Sequence, residues 1–131
     1  MGKHAEPLTV AGLPDPVSHY CHAVRFGDLV YVSGLVAMDG QRGVLGKGDA
    51  AAQTEVIFEH LGQVLDTVGA APADVLKVTV FLRDVDDRPR INPVRQRFFG
   101  DHLPASTLVE VSRLIHEDLL VEIEAVVGIR S

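Results

Sequence analysis

The sequence predicts an α+β domain of two layers, a mixed β-sheet with two helices on one face. Three observations lead there. The length, 131 residues, suits one domain spanning 1–131, and no repeat, low-complexity tract or long linker divides it. Hydrophobic residues make up 47% and charged residues 23%, enough apolar material for a core that needs no staple. Strand-like and helix-like runs alternate in the order β, β, α, β, α, β, β, separated by Gly, Pro and Asp punctuation.

Taken in order, Leu8 to Val10 suit a short edge strand, and Gly12-Leu13-Pro14-Asp15-Pro16 is turn chemistry. Ala23–Phe26 and Leu29–Ser33 are β-rich runs joined by Gly27-Asp28, a hairpin signal. Gly40, Gly43, Gly46 and Gly48 give residues 34–48 the composition of a mobile loop; no Gly-Lys-Ser/Thr ending follows, so it is not a phosphate loop. Asp49 reads as an N-cap. Ile57, Leu61, Val64, Leu65 and Val68 then fall on one helical stripe, closed by Gly69. Val75–Leu82 is strand-like and reads as nearly buried on both faces. Ile91, Val94 and Phe98 carry a second helical stripe. Pro93 lies too deep for a helix beginning at Asp87 but is tolerated just after an Asn92 cap, so the helix is expected from Asn92 after an irregular turn. Thr107–Leu114 and Leu119–Ile129 complete the sheet, read as a hairpin about the charged turn 115–118. The sheet face away from the helices would mix polar and apolar positions, which invites oligomerisation.

Charge and cysteine usage exclude several classes. Lys and Arg number 12 against 18 Asp and Glu, a formal net charge of -6, which disfavours sequence-independent binding to phosphate backbones. The single Cys21 rules out an internal disulfide framework and a multi-thiolate zinc site. Residues 1–7 contain no apolar run for a secretory leader, and Glu6 breaks the myristoylation pattern. No stretch is long and apolar enough for a membrane span, so a cytoplasmic location is expected, with no membrane and no nucleic acid as partner.

Residues able to do chemistry are few. Glu122 and Glu124 are two apart on a strand and share a face, and Glu110 would join them if residues 107–129 form an antiparallel hairpin. Grouped carboxylates raise at least one pKa towards the range useful for proton transfer to water; equally, they fit the solvated positions of a half-exposed sheet. His22, His60, His102 and His116 have no metal-ligand spacing, and no metal or cofactor is expected. His22 beside Cys21 points to the opposite face of a strand, which argues against a thiol–imidazole pair. Arg88, Arg90, Arg95 and Arg97 suit a solvated helix face or the reception of an anion.

Several motifs in this chain resemble one family in order and spacing. They are Val30-Tyr31-Val32-Ser33-Gly34, Gly48-Asp49-Ala50-Ala51-Ala52-Gln53-Thr54, Val78-Thr79-Val80-Phe81-Leu82 and Arg97-Phe98-Phe99-Gly100-Asp101-His102-Leu103-Pro104-Ala105, followed by Val109–Leu114 and Val121–Ala125. Together they resemble the Rid/YjgF reactive-intermediate deaminases, also labelled endoribonuclease L-PSP, over about residues 15–127. The resemblance implies a chorismate-mutase-like fold and a homotrimer with a central barrel, its small-molecule ligand held in clefts between subunits. It implies hydrolysis of enamines and imines such as 2-aminoacrylate and 2-imino acids, without metal or cofactor. By the same resemblance Glu122 is the water-orienting carboxylate, Tyr20, Ser33 and Asn92 line the cleft, and the backbone N–H of Leu108 meets the ligand carboxylate.

The chain also departs from that pattern. Ser106 stands where the deaminating branch has an Arg that pairs with the substrate carboxylate. Leu35, Ser18-His19, Cys21-His22 and Pro93 are further departures, and His22 or another Arg is a candidate for supplying polarity in the altered site. The expected function is therefore a Rid-type hydrolase whose imine or enamine substrate differs from the small 2-imino acids. A non-catalytic trimeric binding protein is the alternative, and a ribonuclease or translation inhibitor is the weaker third reading, given the acidity and only 5% aromatic residues.

Overall fold

Alternating apolar residues build the sheet, and two apolar stripes cover it. In the computed structural model, which describes residues 3–130, the strands are β1 (Glu6–Leu8), β2 (Ala23–Phe26), β3 (Leu29–Val36), β4 (Val75–Leu82), β5 (Ala105–Glu110) and β6 (Val121–Gly128); the helices are α1 (Ala50–Val68) and α2 (Arg88–Phe99). Met1 and Gly2, considered above for a leader or acylation, lie outside the described residues. The strand order is β1-β2-β3-β6-β4-β5. Only β4 and β5 are parallel, because α2 carries the chain from one to the other; every other neighbouring pair is antiparallel.

The expected hairpin of residues 107–129 does not form. β6 inserts between β3 and β4, antiparallel to both, while β5 stops at Glu110 on the outer edge. Burial explains the choice. Val121, Ile123, Ala125 and Val127 lose nearly all their solvent exposure at the centre of the sheet, whereas the side chains of β5 are exposed or half-buried and suit an edge. Glu110 is thereby separated from Glu122 and Glu124 by β4, and it instead accepts a hydrogen bond from Val85 N at 3.0 Å.

Other boundaries also shift. β4 buries one face only, through Val78, Val80 and Leu82, and leaves Lys77, Thr79 and Phe81 half-buried on the other. The first strand lies at Glu6–Leu8 rather than at Leu8–Val10, because the Val10 N–H is taken by His22 Nδ1 at 2.9 Å. α2 starts at Arg88, not at Asn92, with Pro93 inside it. A 3-10 turn, Val85–Asp87, capped by Asp84 Oδ1 on Asp86 N, feeds straight into the helix, and burial of Ile91 and Val94 outweighs the hydrogen bond that Pro93 removes.

α1 is bounded as its residues require. Asp49 Oδ1 accepts from Ala52 N at 3.0 Å, and Gly69, at φ 71°, ends the helix in the left-handed conformation. Ile57, Leu61, Val64 and Leu65 are fully buried against the sheet, and Phe58 stacks on Phe98 at 4.6 Å and meets Phe99 edge-on at 5.5 Å, locking α1 to α2. Gln53, with no solvent exposure, donates to Asp118 O at 2.9 Å and accepts from Leu120 N at 2.8 Å, which fixes the entry of β6. The opposite sheet face stays open, with Phe26 46%, Tyr31 53%, Leu76 48% and Val109 40% exposed.

Candidate active site

The catalytic candidate sits where β3 departs from regular pairing. The register between β3 and β6 shifts between Val32 and Leu35, so Ser33 and Gly34 bulge opposite Glu124, and the side chain of Glu122 reaches across to Gly34. Gly34 is needed there. A Cβ on it would lie 2.8 Å from Glu122 Cδ and closer still to Oε2, so the missing side chain is the space the carboxylate occupies.

Glu122 is half-buried and accepts no hydrogen bond from the described residues. Burial pushes its pKa up, and the neighbouring charge of Glu124, two residues along on the same face, pushes it further in the same direction. The carboxyl opens on a cavity of about 640 Å³, whose lining also includes Tyr20, His22 and Ser33. Four of the expected residues are thus brought together. Ser33 Oγ donates to Cys21 O at 2.7 Å, which holds the hydroxyl while its lone pairs stay available, and the exposed Tyr20 accepts from Val17 N at 3.4 Å through its hydroxyl.

His22 has a different part. Its Nδ1 accepts from Val10 N and its Nε2 lies 2.8 Å from Pro14 O, so the neutral ring with the proton on Nε2 satisfies both. Only 6% exposed, it ties residues 10–14 into one cavity wall and has both nitrogens occupied. His60, His102 and His116 likewise bond backbone groups. No group of three or more His, Cys, Asp or Glu residues able to hold a metal ion occurs among the described residues.

Sequence reasoning missed one wall of the cavity. Of residues 34–48, read as a loop, Gly34–Val36 continue β3, and the turn beyond them presents Met38, Asp39 and Arg42 to the cavity, which His60 from α1 also lines. Asp39 Oδ1 accepts from Gln41 N at 2.9 Å and Gly43 N at 2.8 Å, bonds that hold its pKa below the ordinary carboxylate range, and Met38 pairs with Val44. Arg42 is held at φ 64°, a conformation uncommon outside glycine. The Asp39-to-Gly43 spacing was the available signal, since an Asp side chain commonly closes such turns on backbone N–H groups.

Asn92, Ser106 and Leu108 lie elsewhere. Asn92 is on α2; Ser106 and Leu108 are on β5, paired with Val78 and Val80, whose side chains face the helices. Glu122 pairs with Phe81 on the other face, and β4 stands between β6 and β5. Within one chain, therefore, Glu122 and Ser106 cannot grip the same small molecule.

The endoribonuclease L-PSP family model matches residues 11–129. The chain belongs to this family. Among its relatives it is 37% identical to the 3-aminoacrylate deaminase RutC of Acinetobacter baylyi, over 92% of this chain and 95% of that protein. It is 34% identical to the 2-iminobutanoate/2-iminopropanoate deaminase of Dermatophagoides farinae, over 88% and 90%. The crystal structure of RidA from the Antarctic bacterium Psychrobacter sp. superposes with a TM-score of 0.84 at 30% identity, covering 93% of this chain and 99% of that one. In this L-PSP chain a half-buried carboxyl with raised proton affinity, beside a bulged strand and a fixed hydroxyl, has the properties of a proton carrier for water. No helix among the described residues is long and apolar enough to cross a membrane.

Proposed function

We propose that this chain is a hydrolase of the deaminase type, adding water to an imine or enamine and releasing ammonia in a cleft completed by a second copy of the chain. The observation that carries the proposal is Glu122, half-buried, without a hydrogen-bond partner among the described residues and open to the cavity. The named deaminases among its relatives support the reaction class.

An enamine first takes a proton on carbon, and an imine one on nitrogen, to become the iminium. Glu122 as carboxylate then removes a proton from water as the water oxygen bonds the electrophilic carbon, giving a neutral carbinolamine. The same carboxyl returns that proton to nitrogen; as the C–N bond breaks the carbinolamine hydroxyl gives its proton back to the carboxylate, and ammonia and a carbonyl compound leave. A raised pKa suits a group that must both accept and return a proton near neutrality. Ser33, Tyr20 and Asn92 are assigned to positioning the substrate, and the Leu108 N–H to its acid group. With Ser106 in place of an arginine, the small 2-imino acids are not the preferred substrates.

The division of the assigned residues between two regions of one chain supports a homotrimer in which the β5 edge of one subunit closes the cavity of the next. The exposed Phe26, Tyr31, Leu76 and Val109 favour burial of the open sheet face in a shared barrel. A ribonuclease role has less support, because the net charge of -6 repels polyphosphate. Ammonia release from 3-amino-2-enoates and from 2-imino acids, both generated in place, tests the proposal. Acceleration, greater for the former and lost in Glu122→Gln, is expected; no acceleration of either, or an equally active Glu122→Gln, would overturn it.

A further inference from the structure

Of the four arginines at residues 88–97, one is placed unlike the rest. Arg90 pairs with Asp87 and Arg97 with Glu55, each at 2.7 Å, and Arg88 is solvent-exposed. Arg95 is half-buried and has no carboxylate partner among the described residues; its Nη2 donates instead to Ser106 Oγ at 2.9 Å. Burial lowers its pKa, as expected for a cation whose lost hydration no anion replaces. The guanidinium therefore lies against the outer edge of the sheet, where β5 has β4 on one side and no strand on the other among the described residues. A guanidinium has several donors left after one bond to a hydroxyl. A planar cation with donors to spare and no anionic partner among the described residues matches a carboxylate.

We infer that Arg95, held by Ser106, is the receptor for the acid group of the ligand, so that α2 rather than β5 supplies the positive charge. The inference rests on the proposed function for the identity of the reacting group but not for the anion site. The ligand class is then a small carboxylate whose imine or carbonyl carbon lies at a different reach from the acid than a β5 arginine would set. Ser106 acts as a positioning residue. Its hydroxyl accepts from the guanidinium and fixes the fork against the strand edge.

The test uses the full-length protein and two unreactive carbonyl acids, 2-oxobutanoate and 3-oxobutanoate, with affinity read by calorimetry. Arg95→Ala is expected to weaken binding of the better acid by about tenfold or more, while binding of the corresponding methyl ester stays unchanged. Adding Ser106→Arg to Arg95→Ala should regain most of the lost affinity, an effect a purely structural Arg95 would not produce. Glu122→Gln should retain acid binding, so loss of hydrolysis and loss of the anion site are read separately. The inference is overturned if neither acid binds the wild-type protein, if Arg95→Ala binds as tightly as the wild type, or if Arg42→Ala abolishes binding and Arg95→Ala does not. Binding through Arg95 without any ammonia release would leave the inference standing and remove the proposed hydrolysis.

Discussion

Glu122 and Gly34 make one device, a carboxylate placed in the volume that any other residue at position 34 would fill. Gly34 is not at positive φ, so Gly34→Ala leaves the backbone unstrained and displaces only the flexible end of Glu122. Thermal melting should shift little while deamination falls about hundredfold, the usual penalty for a misplaced catalytic group. Desolvation of Glu122 also bears on stability. Because its pKa is raised on folding, the folded chain binds the proton more tightly than the unfolded chain, and stability declines as pH rises from the ordinary glutamate value through the raised one. Glu122→Gln should therefore be more stable than the wild type at neutral pH and lose that advantage in acid, as urea midpoints at two pH values would show. The sequence revealed Glu122 and Glu124 as a pair on one face; it could not reveal that only Glu122 is desolvated, which depends on the bulge at Ser33 and Gly34.

At the level of elements, most of the fold was legible because its signals are local. The α1 stripe, the Asp49 cap, the Gly69 stop and the Gly27-Asp28 turn each follow from a few neighbouring residues. What failed was non-local. Nothing between residues 107 and 129 says that β6 will cross to the centre of the sheet, since that choice is made by the burial available between β3 and β4. The Pro93 rule gave way to the burial of Ile91 and Val94 in the same manner. Gln53 helps hold the crossing in place by bonding the chain on both sides of Leu119. Gln53→Leu leaves the Leu120 N–H and Asp118 C=O without their partner and should destabilise the protein by about 2–4 kcal/mol, measured by urea denaturation. If Gln53→Leu matches the wild type, water replaces the amide and the crossing has another anchor.

For the whole molecule, the proposal that Glu122 and Ser106 serve one ligand requires a second copy of the chain, because a strand and a sheet face separate them within one. Tyr31 is already 53% exposed in the single chain, so Tyr31→Glu should leave that chain folded. In sedimentation equilibrium the wild type should be trimeric and Tyr31→Glu monomeric, with deaminase activity lost together with the trimer. A fully active monomer would show that one chain suffices. The most direct measurement of the central claim is the rate of ammonia release from 3-aminoacrylate by the wild-type protein and by Glu122→Gln, both confirmed in the same oligomeric state, across the acid-to-neutral range. The account predicts a wild-type rate that falls as Glu122 takes up its proton, and a Glu122→Gln rate at least about a hundredfold lower with no such acid limb. Equal rates, or the same acid limb in both proteins, would contradict it.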